Sequence, residues 1–221
     1  MIRPAAVVLV SVVLSHPSST TAQVFGGPGF GGSAASVSGD QSGQFGARPG
    51  LLAGGLLGGK FNNWFGAQME VFYMQKGGTD ADQSAAENAI RLNYAEIPLA
   101  VKLTLGGRGV EGYLLGGPSV AVELHCDLNL SSDGTASVEE GCKAPDGQTL
   151  IKSMDYSYNV GVGLNLALGC PEETCQAINV EYRFSGGWTE FGRRLDVLDD
   201  LRNRTHSFRV NIPVGLRVLR P

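Results

Sequence analysis

The 221-residue chain is predicted to be all-β, an eight-stranded antiparallel up-and-down transmembrane β-barrel with short periplasmic turns and long extracellular loops. Three observations carry this expectation. Six long segments alternate apolar and polar residues with period two, the links between strands alternate short and long, and no apolar run beyond residue 23 approaches the length of a membrane-spanning helix. A closed barrel can still cross a bilayer, because ring closure satisfies the backbone hydrogen bonds without a long apolar stretch.

The N-terminus has the layout of an export signal: Arg3, the apolar run Ala5 to Leu14, then a small polar stretch ending Thr20-Thr21-Ala22-Gln23. The apolar stretch, about ten residues, suits a signal peptide and is too short to span a bilayer as a helix. Cleavage is expected after Ala22, so residues 1–22 are read as a signal peptide and 23–221 as the barrel domain. A buried N-terminal strand or helix is the plainer alternative, and the basic start and the cleavage-like end argue against it.

After a Gly-rich lead, VFGGPGFGG, strands are expected at 29–39, 47–59, 63–76, 90–105, 109–124, 153–168, 176–186 and 205–219. The first two are diluted by Gly and Ser, and the chain's 32 glycines without a collagen period point to turns, tight strands or flexible ends. In NYAEIPLAVKLTL, residues 93–105, Ala95, Ile97, Leu99, Val101 and Leu103 form one face, while Tyr94, Glu96, Lys102 and Thr104 share the other. The sixth segment sets Met154, Tyr156, Tyr158, Val160, Val162, Leu164 and Leu166 against Asp155, Ser157, Asn159 and Asn165. The last two behave alike: Ile178, Val180, Tyr182 and Phe184 oppose Asn179, Glu181, Arg183 and Ser185, and Phe208, Val210 and Ile212 oppose Ser207, Arg209 and Asn211. Tight links fall near 59–62, 106–109 and 169–175, and longer polar ones at 77–89, 125–152 and 187–204. Short turns at one rim and long loops at the other are the signature of an outer-membrane barrel.

Alternation by itself also fits a soluble, lipocalin-like barrel with an apolar interior and ligand-binding role. The polar parity, however, is rich in Gly, Ser, Asn and Ala, as a narrow lumen requires, whereas a solvated exterior usually carries many long Lys and Glu side chains. The apolar parity is therefore expected to face lipid. Glu70, Glu96, Lys102, Glu111, Glu123, Asp155, Glu181, Arg183, Arg209 and Arg217 then point inward, with Gln68, as an interlocking charge network that fills the lumen. On the outward parity, Tyr73, Tyr156, Tyr158, Tyr182, Phe184 and Phe208 are expected to form an aromatic girdle near the loop rim, with Phe61 and Phe65 beginning its counterpart at the other.

The segments MEVFYMQKGG, LNYAEIPLAVKLTL and GYLLGGPSVAVEL carry a resemblance to a known family. Their Tyr94-to-Leu99 and Tyr113-to-Pro118 strands, and a strand ending in Lys76-Gly77, look like the outer membrane protein beta-barrel domain family, the small porin-like barrels often labelled PorT-like. The resemblance covers most of the chain past residue 23 and implies an eight-stranded outer-membrane barrel. It brings no common catalytic residues.

A net charge of -4 leaves no general basic footprint for nucleic acid. The expected partners are outer-membrane lipids and an extracellular or periplasmic partner met through the loops, for a monomer that is not an enzyme. The leading role is structural or interactive, with a narrow small-solute channel as the alternative. His125 and His206 are the imidazoles past residue 22, and Ser207 cannot serve as nucleophile beside His206 because neighbours on a strand point to opposite faces. The cysteine spacings are irregular and match no tetrahedral zinc pattern, so no cofactor or metal is expected. Cys126 and Cys142 fall in one long loop, Cys170 and Cys175 in one short turn, on opposite sides of the bilayer. Bridges Cys126 to Cys142 and Cys170 to Cys175 follow. Non-reducing peptide mapping should recover these two local pairs, and a Cys126 to Cys170 peptide would contradict the strand directions.

Overall fold

The structure, a computed structural model, describes residues 23–39, 45–80, 89–107, 109–132, 135–140, 142, 151–169, 174–190 and 201–217. Ten strands are assigned: β1 Gln23–Ser38, β2 Phe45–Lys60, β3 Phe65–Asp80, β4 Ala89–Gly107, β5 Val110–Ser132, β6 Thr135–Glu140, β7 Met154–Gly169, β8 Thr174–Gly187, β9 Arg202–Asn211 and β10 Val214–Arg217. All pair antiparallel, and the order β1-β2-β3-β4-β5-β7-β8-β9 closes because β1 also pairs with β9. Among the described residues no helix is long and apolar enough to cross a membrane. The wall is thus eight strands around, each hydrogen-bonded on both sides, which removes the open edges that lipid does not tolerate.

The last wall strand is divided into β9 and β10 by Ile212-Pro213. Proline has no N–H to donate to a ladder. The register nevertheless carries straight through: Gly29 faces Asn211 before the break and Gly26 faces Val214 after it. The break is also bonded across both seams, since the Ile212 N–H donates to the Pro28 carbonyl at 2.9 Å and the Ala177 N–H donates to the Pro213 carbonyl at 3.2 Å. The single strand expected at 205–219 is corrected accordingly, and it begins earlier, at Arg202.

Three other boundaries differ from the sequence expectation. The Gly-rich lead is part of β1, paired with β2 from Gln23 onward. Glycine weakens a strand in isolation, but here two neighbours supply the ladder that propensity does not. β3 continues past Lys76-Gly77 to Asp80, and β5 runs on to Ser132 and folds back as β6, so part of the expected loop 125–152 is a hairpin standing beyond the ring.

A bulge in β5 decides what that hairpin brings inward. Tyr94 pairs with Glu123 but Asn93 pairs with His125, leaving Leu124 as the extra residue. The inward parity therefore shifts from odd to even positions, and Cys126 becomes buried rather than outward. It is joined there to Cys142. Cys170 lies outside the described residues, as does the side chain of Cys175.

The alternation sorts the side chains by face. Glu96, Lys102, Asp155, Asn179, Arg183 and Arg209 are buried inside, while Leu57, Val71, Leu99, Val160, Val162 and Leu164 are exposed outside. A soluble barrel would reverse this arrangement.

Gly77 is where the wall depends on glycine. Its φ is 111°, a left-handed conformation, and an added Cβ would collide with the Ile90 carbonyl on the paired strand. Gly77→Ala is expected to lower stability by about 1–3 kcal/mol, read as a reduced urea midpoint of the detergent-folded protein.

Candidate functional site

Inward residues stack in layers from the long-loop rim to the short-turn rim. The first layer is apolar: Val37, Ile90, Leu92, Tyr94, Ala121, Cys126, Cys142, Ile151 and Leu201 form one buried cluster. Ile90 and Leu92 come from the start of β4, while Cys142, Ile151 and Leu201 come from segments between strands and close over the lumen. The bridge to Cys126 holds one of those segments down. This apolar cap was not expected from the sequence, although Ile90 and Leu92 share the even parity of Tyr94 and Glu96.

Below the cap lie two separate acids. Glu96 meets Lys76 Nζ at 2.7 Å and accepts from Ser119 Oγ at 2.8 Å. Asp155 has no cation partner among the described residues; it accepts from Asn203 Nδ2 at 2.8 Å and Thr189 Oγ1 at 2.9 Å. Lys76 is one of two network members that the sequence reading missed, the other being Lys60. The signal was available, since Gln68, Glu70, Phe72, Met74 and Lys76 occupy successive inward positions of β3.

The centre of the lumen is one ionic cluster. Arg183 grips Glu70 with both terminal nitrogens, at 2.9 and 2.7 Å, and donates from Nε to Glu181 Oε1 at 2.7 Å. Arg209 reaches the same Glu70 at 2.9 Å and donates to Ser207 Oγ at 3.2 Å, with its guanidinium 4.9 Å from the Phe72 ring centre. Gln68 donates to Glu70 at 2.6 Å and the Tyr113 hydroxyl to Glu181 at 3.1 Å. Two guanidinium groups face two carboxylates, so the charge balances locally and most lone pairs are used. The cluster ties β3, β5, β8 and β9 across the interior.

Toward the short-turn rim the expected single network separates further. Lys102 is buried but has no carboxylate partner among the described residues; its ammonium lies 3.6 Å from the Tyr113 ring centre and 5.8 Å from that of Phe25. Glu111 pairs instead with Lys60 at 2.8 Å and accepts from Asn165 at 2.9 Å. Glu123 is half-buried with no cation partner among the described residues, beside the bulge that turns the wall. Arg217 pairs its backbone with Gln23, and its side chain lies outside the described residues.

The outer surface carries the aromatic residues. Tyr73, Tyr156, Tyr158, Tyr182 and Phe208 are exposed and Phe184 is partly so. Tyr158 lies 6.0 Å from Phe184 and 6.0 Å from Trp188, which the sequence reading left out. Tyr182 is opposite Phe208 and shares a 2.6 Å hydrogen bond with His206 Nδ1, so His206 faces outward while Ser207 is buried inside. Phe61, Trp64 and Phe65 gather at the short-turn rim, with centroids 5.4 and 5.7 Å apart.

Removing one base from a closed ionic cluster leaves buried acids uncompensated. Arg183→Met is expected to cost about 3–5 kcal/mol, and Lys76→Met a comparable amount by orphaning Glu96. Arg202→Met, which removes an exposed 3.1 Å pair with Glu190, should cost under about 1 kcal/mol. Urea midpoints of the three variants in detergent check the ranking.

Residues 15–216 match the family described as outer membrane protein beta-barrel domain. Among curated proteins none matches the chain. Among solved structures it is similar to the Neisserial surface protein A, NspA, at 13% identity over 88% of this chain and 97% of that one, with a TM-score of 0.46. It is also similar to OprG from Pseudomonas aeruginosa, at 14% identity over 89% and 95% with a TM-score of 0.44. Ail, the attachment invasion locus protein of Yersinia pestis, matches at 14% over 88% and 99% with a TM-score of 0.43. The family match spans nearly the whole ring of strands: the chain belongs to the outer membrane protein beta-barrel domain family and is an outer-membrane β-barrel protein.

Proposed function

We propose that this chain is a plugged barrel with a structural or interaction role, whose long loops meet an extracellular partner and whose short turns face the periplasm. In this reading the exported chain loses residues 1–22, works as a monomer and catalyses no reaction. The observation that carries it is the closure of the lumen in series. An apolar layer with a bridged cysteine lies over a paired Lys76 and Glu96, and the Arg183, Arg209, Glu70 and Glu181 cluster lies beneath. An ion passing through would have to break buried pairs and then cross a buried apolar layer, and each step is costly. The partner-binding half of the reading rests on the distribution of the chain: the β5–β6 hairpin stands beyond the ring at the long-loop rim, where a partner can reach it.

Planar bilayers test the plug. Purified protein is expected to stay electrically silent across the voltage range in which open porins conduct. Regular conductance steps that vanish with the heat-unfolded protein would establish the narrow channel instead.

A further inference from the structure

The plugged barrel is not filled to its short-turn end. A cavity of about 230 Å³ opens there, enclosed by the ends of β1, β2, β4, β5, β7, β8 and the last strand. That is room for roughly eight waters at about 30 Å³ each, or for one small organic molecule. Lys102 lies on its wall.

Four cations are buried among the described residues, Lys76, Lys102, Arg183 and Arg209, and three of them meet a carboxylate. Lys102 is the exception. Only 5% of it is exposed, and the Tyr113 ring offers its ammonium a π face rather than a countercharge. Among the described residues, the one carboxylate on the same cavity wall, Glu111, is already neutralised by Lys60 and held by Asn165. The rest of the wall sets apolar Phe25, Ala167, Ala177 and Pro213 beside the amides of Gln23, Asn165, Gln176 and Asn179. A buried ammonium without a carboxylate partner among the described residues, beside a recess that offers both apolar surface and amide donors, has the chemistry of a carboxylate pocket.

We infer that this cavity binds a small organic carboxylate with a short apolar substituent, its carboxylate on Lys102 and its tail against Phe25 and Pro213. The ligand completes the charge balance that the protein's own acids supply elsewhere in the lumen. The inference is independent of the loops and of conductance, since the pocket needs neither a partner nor an open pore.

The test uses the full barrel folded in detergent, isotope-labelled, with butyrate and its neutral isostere butyramide as probes. Butyrate should shift the amide signals of Gly109 and Gln176 saturably, and butyramide should bind at least about tenfold more weakly because it lacks the charge that Lys102 pairs with. Lys102→Met should abolish the preference for butyrate while leaving heat-modifiable migration on a denaturing gel intact. Equal binding of butyrate and butyramide by the wild-type chain, no saturable shift with either, or an unchanged preference in Lys102→Met would each overturn the assignment. If Lys102→Met does not fold, the comparison of the two probes on the wild type decides alone.

Discussion

Backbone hydrogen bonding in a medium without water is the constraint on which everything else rests. In hydrocarbon each unpaired N–H or carbonyl costs several kcal/mol, so strands that cross must pair on both edges. The chain meets this by bonding β1 to β9 and β10 as well as to β2, and the seam holds although Pro213 interrupts the last wall strand. The carbonyls of Pro28 and Pro213 accept across the break, which shows why a proline is tolerated here: what it lacks is a donor, and its neighbours' donors remain used.

Closure then creates a second problem, because a ring this narrow has an interior that must be occupied. Polar side chains are the material that strand alternation supplies once the apolar parity is committed to lipid. Most of the charge there is kept in balanced groups. Glu70 at the centre satisfies this by accepting from two guanidinium groups, and Arg183 by serving two carboxylates. The arrangement is less one network than several neutral islands at different depths, with Lys60 and Glu111 near one mouth and Lys76 and Glu96 near the other. Lys102 stands between islands, held over an aromatic ring.

Aromatic residues cluster on the outer face toward both rims. Tyr158, Phe184 and Trp188 gather toward the long-loop rim, and Phe61, Trp64 and Phe65 toward the other, so each cluster holds a ring with a polar N–H or O–H. The Tyr182 and His206 pair shows how a polar group on the outer face is made tolerable there, by bonding to a neighbour one strand away.

The amino-acid sequence by itself determined the fold class, the face on which each strand residue lies, and hence the inward position of Glu70, Glu96, Lys102, Asp155, Glu181, Arg183 and Arg209. Those are consequences of period two, a local property of an extended chain, and they are legible wherever a strand runs without interruption. Where the period is broken, the tertiary structure decided. The Leu124 bulge turned Cys126 inward, pairing partners carried glycine-rich β1 and proline-interrupted β10 into the ring, and segments between strands supplied Cys142, Ile151 and Leu201 to the apolar cap. Which cation meets which acid was likewise undecidable from alternation, because parity gives a side chain's direction but not its depth. Depth depends on the stagger between strands far apart in the chain, such as β3 and β9, and only closure of the ring sets that stagger.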